Sequence, residues 1–154
     1  MDCYACRMNR TIDTLPPREL IAADPHWRVA HAMDTSLPGW LVLLPRRHVT
    51  ALAELTDQEA TGLGSWQVRL SRALTEVTGC AKTYAVQFAE AEGFAHVHVH
   101  VVPRMPDLAP ALRGPGVFAL LNAPTEERVP PQAMDALATR LTAALRSAAP
   151  EPEA

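Results

Sequence analysis

Apolar positions fall in two periods along this chain. Trp27-Arg28-Val29-Ala30-His31-Ala32 and Trp40-Leu41-Val42-Leu43-Leu44-Pro45 are short, densely apolar and bounded by turn residues, which predicts two strands. Ser36-Leu37-Pro38-Gly39 punctuates the gap, so the pair reads as an antiparallel hairpin with a loop of several residues. Thr83 to Phe88 predicts a third strand, and Ala89 to Ala95 its return loop. His96-Val97-His98-Val99-His100-Val101-Val102 alternates at period 2 and predicts a fourth, closed by Pro103. Elsewhere the period is helical. Thr56-Asp57-Gln58-Glu59 has the form of a capping box, and Leu63, Trp66, Leu70, Leu74 and Val77 follow at spacings of three and four. Gly79 stops that helix, while Gly62 and Gly64 weaken its first turns and leave room for close packing on a sheet. Met134, Leu137, Leu141 and Leu145 predict a second helix over 131–148. The stretch from Arg104 to Gly116 is rich in proline and glycine, and Val117 to Leu121 reads as a short helical or strand piece. Antiparallel strands with segregated helices make the fold class α+β. At 154 residues the natural count is one domain, 1–148, with 149–154 expected to be a disordered tail.

Composition narrows the partners. Apolar content of 48% and charged content of 20% are ordinary for a globular protein. A formal net charge of −3 leaves no footprint for nucleic acid or an anionic membrane, although a small anionic ligand needs only a local set of donors. No apolar run approaches the ~20 residues of a membrane span. The start, Met1-Asp2-Cys3, lacks a basic region followed by an apolar core, so no signal peptide and a cytoplasmic location are expected.

The histidine row is the most informative chemistry. On a strand all three imidazoles share one face, with neighbours ~7 Å apart. Three readings stand side by side: an exposed strand that happens to carry histidines, a three-histidine metal site, and nucleophilic catalysis by one imidazole oriented by its neighbours. Strand geometry favours the third, because side chains in a line converge poorly on one small ion. Cys3-Tyr4-Ala5-Cys6 is a C-x-x-C outside any βαβ unit, which argues against a thioredoxin-like redox role. Two thiolates so spaced can grip zinc, and idle thiols are the alternative. Cys80, after Gly79, reads as a small buried hydrophobe.

These residues resemble the histidine triad (HIT) family. His96-Val97-His98-Val99-His100-Val101-Val102 matches its His-φ-His-φ-His-φ-φ motif, and Leu37 to Val49 is similar to the hairpin those proteins carry upstream. Val101-Val102-Pro103-Arg104 looks like the exit of the triad strand in the branch that hydrolyses dinucleoside polyphosphates. The resemblance covers roughly residues 1 to 105.

The resemblance implies a five-stranded antiparallel sheet with one long and one C-terminal helix, a homodimer, and a small-molecule nucleotide as substrate. His96, His98 and His100 would form the catalytic row. His98 would attack the α-phosphate and form a nucleotidyl-imidazole intermediate. His100 would contact the phosphate and help the leaving group depart. In branches with an N-terminal C-x-x-C, and in the related galactose-1-phosphate uridylyltransferases, two cysteines and two histidines hold zinc. Carried over, the ligands are Cys3, Cys6, His48 and His96, a closed set of the structural kind. Gln87 resembles a phosphate-contacting glutamine. Ala32 stands where an acidic or amide residue usually holds the ribose, so His31 or Asp34 would serve instead. Arg104 would meet a distal phosphate or lie on the surface. The activity implied is hydrolysis of a dinucleoside polyphosphate or nucleoside phosphoramidate. A nucleotidyltransferase or phosphorylase with the same intermediate, and a nucleotide-binding module with little turnover, are the alternatives.

Overall fold

The computed structural model describes residues 3–148. The expected tail, 149–154, lies outside the described residues. Five antiparallel strands form one sheet in the order β1-β2-β3-β5-β4: β1 Ala22–Ala23, β2 Trp27–His31, β3 Leu41–Pro45, β4 Lys82–Gln87 and β5 Val99–Arg104. Among the described residues three α-helices accompany it: α1 Tyr4–Arg10, α2 Asp57–Thr78 and α3 Pro131–Ser147. The sheet and the two longer helices agree with the α+β architecture that the sequence and its resemblance predict.

Period 2 sorts the strands into two faces. Trp27 and Val29 of β2, Leu41 and Leu43 of β3, and Val99 and Val101 of β5 pack with Trp66, Leu70 and Leu74 of α2 and Leu141 and Leu145 of α3. The intervening residues Arg28, Ala30, Val42, Leu44 and His100 line a cleft on the opposite face. All five residues of β2 are therefore buried. The 3-10 segment Gly114–Leu120, which occupies the predicted 117–121 piece, closes one end of that second face. There Val117 packs with Trp40 and Val102.

Local signals explain the helices. In α2, Thr56 Oγ1 accepts the Glu59 N–H at 3.2 Å, and Glu59 Oε2 accepts the Thr56 N–H at 2.8 Å, so the capping box is complete. Gly79 ends the helix in the left-handed region at φ +72°. The two helix glycines differ. A Cβ at Gly62 would stand 3.0 Å from Nε1 of Trp27, whereas one at Gly64 would meet nothing within 4 Å. Gly62 is the point of close approach between helix and sheet.

Both ends of the triad strand depart from expectation. The triad strand begins at Val99, not His96. The Val97 N–H is taken by the carbonyl of Val49 at 2.8 Å, and the His96 ring by the carbonyl of Pro45. The strand also runs through Pro103 to Arg104. β3 stops pairing at Leu41, opposite Val101, so at Pro103 the strand has β4 as its one neighbour and a missing N–H is tolerated. The C-x-x-C opens a short helix, α1, whose first turn is capped by Cys3 Sγ accepting the Cys6 N–H. No described helix is long and apolar enough to cross a membrane.

Replacing Gly62 by Ala should cost ~1–3 kcal/mol, since Trp27 or the helix must shift. Replacing Gly64 by Ala should instead stabilise by up to ~1 kcal/mol through helix propensity. Urea unfolding of both variants measures the contrast, and equal effects would refute it. Glu59 gives a pH-dependent counterpart. Its hydrogen bonds with Arg47, reinforced by the backbone of Thr56 and opposed by burial, bring its carboxyl from 4.5 down to about 2. The folded state thus binds that proton less tightly than the unfolded one. The stabilisation is full above about 4.5 and lost as the pH falls towards about 2. Glu59→Gln should therefore be less stable than the parent near neutrality, and the gap should close in acid. A gap independent of pH would contradict this.

Candidate active site and metal cluster

Two chemical centres meet at His96. The first is a cluster of four donor atoms brought together by α1, the segment after β3 and the entry to β5. Nδ1 of His96 lies 3.5 Å from Cys3 Sγ, 3.6 Å from Cys6 Sγ and 3.3 Å from Nδ1 of His48, and Cys6 Sγ lies 3.3 Å from His48 Nδ1. All four atoms fall within 4.8 Å of one another. A tetrahedral ion with bonds of ~2.3 Å to sulfur and ~2.0 Å to nitrogen spaces its ligands ~3.3–3.8 Å apart. The donor set fits such an ion.

Proton positions agree with that fit. A carbonyl only accepts, so the 2.7 Å contact of His96 Nε2 with the Pro45 carbonyl places the ring proton on Nε2 and leaves the Nδ1 lone pair for the cluster. Burial first, and then His48, His98 and Arg28, keep His96 below the usual imidazole value, against the opposing Pro45 bond. A ligand must be neutral. Burial and the adjacent Cys3 push the Cys6 thiol up, a penalty that a bound cation removes. The loop carrying His48 is tied down as well. Arg47 donates from Nε and Nη2 to the two Glu59 oxygens at 3.1 and 2.8 Å.

The second centre is the cleft, about 380 Å³ in volume, whose lining includes His96, His98 and His100. Nδ1–H of His98 donates to the His96 carbonyl at 2.8 Å, which leaves a lone pair on Nε2. The rings of His98 and His100 meet edge to face, with centroids 4.8 Å apart. Nδ1 of His100 accepts the indole N–H of Trp40 at 3.0 Å. Small and aliphatic side chains, Ala30, Ala32, Val42 and Leu44, also line the cleft, together with the exposed aromatics Phe88 and Phe94.

The remaining candidate residues part ways. Asp34 lines the cleft in the left-handed region at φ 58°, its carboxylate bridged to Arg128 at 2.8 Å. His31 lines it too, but both ring nitrogens are taken. Nδ1–H donates to the Ala32 carbonyl at 2.8 Å, and Nε2 accepts the Gly39 N–H at 2.9 Å, so this ring locks the hairpin loop. Gln87 is not in the cleft lining. It stands opposite Val99, whose side chain faces the helices, and directly paired residues share a face. Arg104 ends β5 beside Lys82, also away from the cleft. Sequence reasoning missed Trp40, whose indole N–H reaches the triad from an otherwise apolar run. It missed Arg28 as well, buried at 1% exposure and bonded through Nη1 to Glu19 and through Nε to Asn9. Tyr4 completes that wall by donating to Glu19 at 2.7 Å.

Comparisons with known proteins point one way. The family described as HIT domain matches residues 15–107. The bis(5'-adenosyl)-triphosphatase of Dictyostelium discoideum is 35% identical over 71 residues, 44% of this chain and 48% of that protein, so the match spans about half the relative's length. A zinc-bound histidine triad family protein from Mycobacterium smegmatis shares the fold at 20% identity and a TM-score of 0.69, over 96% of this chain and 95% of the other. A histidine triad protein from Bradyrhizobium japonicum is 25% identical at a TM-score of 0.63, over 90% and 92% of the two chains. With its triad at one end of a five-stranded antiparallel sheet and the family match across most of its length, the chain belongs to the HIT domain family.

Proposed function

We propose that this protein is a nucleotide hydrolase that cleaves at an α-phosphate through a nucleotidyl-histidine intermediate on His98. The observation that carries the reading is the bond from His98 Nδ1–H to the His96 carbonyl. It fixes the tautomer whose free Nε2 lone pair is nucleophilic. Attack by Nε2 forms a phosphorus–nitrogen bond and breaks the bond from phosphorus to the leaving group, which takes the electron pair. Water then attacks the same phosphorus, the imidazole leaves, and a mononucleotide is released. His100, edge to face with His98, would hydrogen-bond the departing group. The substrates that suit this chemistry are dinucleoside polyphosphates and nucleoside phosphoramidates. The likeness to bis(5'-adenosyl)-triphosphatase supports the first of these.

Cys3, Cys6, His48 and His96 would hold zinc in a structural role. All four positions of a tetrahedral ion are then filled by protein, so the metal supplies a cross-link and takes no part in the phosphoryl chemistry.

A product assay on wild type and His98→Ala tests the nucleophile. The panel is diadenosine polyphosphates, adenosine phosphoramidate, ADP-sugars and ATP. Wild type should release mononucleotide, and the variant should lose about a thousandfold or more in kcat. Nucleotide binding without turnover by wild type would move the protein to the binding-module class. Metal analysis tests the cluster. Protein purified without chelator should carry about one zinc per chain, and Cys6→Ala should lose it together with thermal stability. Wild type with less than about a tenth of a zinc per chain would rule the zinc role out.

A further inference from the structure

We propose that Trp40 is a positioning residue that pins the proton of His100 on Nε2. The cleft then offers a leaving group a hydrogen bond but no transferable proton, and it favours an anhydride over an amide linkage at phosphorus. The leaving-group half of this inference rests on the reading of His98 as nucleophile; the proton position does not.

Most imidazole hydrogen bonds can run in either sense, but this one cannot. An indole nitrogen only donates, so the 3.0 Å contact of Trp40 Nε1 with His100 Nδ1 makes Nδ1 the acceptor. In the neutral ring the single proton is then on Nε2. Both partners are enclosed, Trp40 at 0% and His100 at 7% exposure. The ring of Phe118 packs edge-on against each of them, with centroid distances of 5.3 Å, and so holds the pair in register. Across the sheet His100 stands opposite Val42 and Val86, and among the described residues no carboxylate bonds it. A second proton on Nδ1 would set two N–H groups head to head in an apolar surround. Burial and then His98 already bring this imidazole down to about 4.

A neutral imidazole that surrendered its Nε2 proton would become an imidazolate, which is far too basic to form near neutral pH. His100 therefore cannot act as a general acid in this state. When the broken bond is a phosphoric anhydride, the electron pair leaves on a phosphate oxygen that is stable as an anion. When the broken bond is phosphorus to nitrogen, the amine must gain a proton as it departs, and His100 has none to give. Leaving groups that need no protonation are thereby preferred.

The decisive experiment reads the proton directly. In protein labelled with ¹⁵N histidine, long-range ¹H–¹⁵N spectra, with His100→Asn used for assignment, should show His100 protonated on Nε2 and bare on Nδ1. Substituting Trp40 with benzothienylalanine keeps the ring shape and replaces the N–H by sulfur. His100 nitrogen shifts in that protein should move towards the average of the two tautomers. The rate ratio of diadenosine triphosphate to adenosine phosphoramidate should fall by about tenfold. A His100 proton on Nδ1 in wild type would overturn the proposal, as would unchanged His100 shifts after the substitution. The wild-type spectrum locates the proton even if the substituted protein folds poorly. Failure of wild type to turn over either compound would count against the hydrolase reading, while the spectra would still decide the role of Trp40.

Discussion

The ring of His96 is engaged at both nitrogens, and its backbone carbonyl is engaged as well. Nε2–H goes to the Pro45 carbonyl at the end of β3, Nδ1 joins the Cys3, Cys6 and His48 cluster, and the carbonyl receives Nδ1–H of His98. One residue thus ties the N-terminal helix, the hairpin strand and His98 into a single unit. These bonds also explain why the strand proper waits until Val99. The segment before it is held by side-chain and single backbone contacts in place of a ladder, which aims His98 into the cleft.

Behind this unit the central strands β2, β3 and β5 are buried on both sides. Helices α2 and α3 cover one face with a continuous apolar core, and the other face carries the cleft. Because side chains alternate, a single stretch of β5 serves both. Val99 and Val101 anchor it to the helices while His100 faces the opposite way. The sheet floor of the cleft is therefore the back of the core. The approach of α2 to β2 at Gly62, with Trp27 Nε1–H bonded to the Glu59 carbonyl at 3.0 Å, sets the distance between the two layers.

Much of this was legible in the chain, and what was legible was local. The hairpin, the capping box at Thr56 and Glu59, the Gly79 stop and the alternation of the triad all express their structure within a few residues. The two residues of β1 are too few to show a period, so their strand exists only through pairing with β2. The position of Gln87 could not be read either. Its face depends on register against Val99, and register is a property of two strands together. His31 illustrates the same limit: a polar residue beside the site proves to be spent on the Ala32 and Gly39 backbone. Trp40 was the converse, an apolar residue by composition whose one polar atom meets a histidine far along the chain.

The central pairing of β3 with β5 joins Leu43 to Val99 and Leu41 to Val101, residues separated by the whole of α2 and β4. Closing so long a loop costs entropy before any contact repays it. The hairpin and α2 can form from neighbours in sequence, but the cleft cannot exist until that distant ladder closes. Assembly of the chemistry is thus coupled to a long-range step in folding, and a chain that has not completed its sheet has no site with which to act.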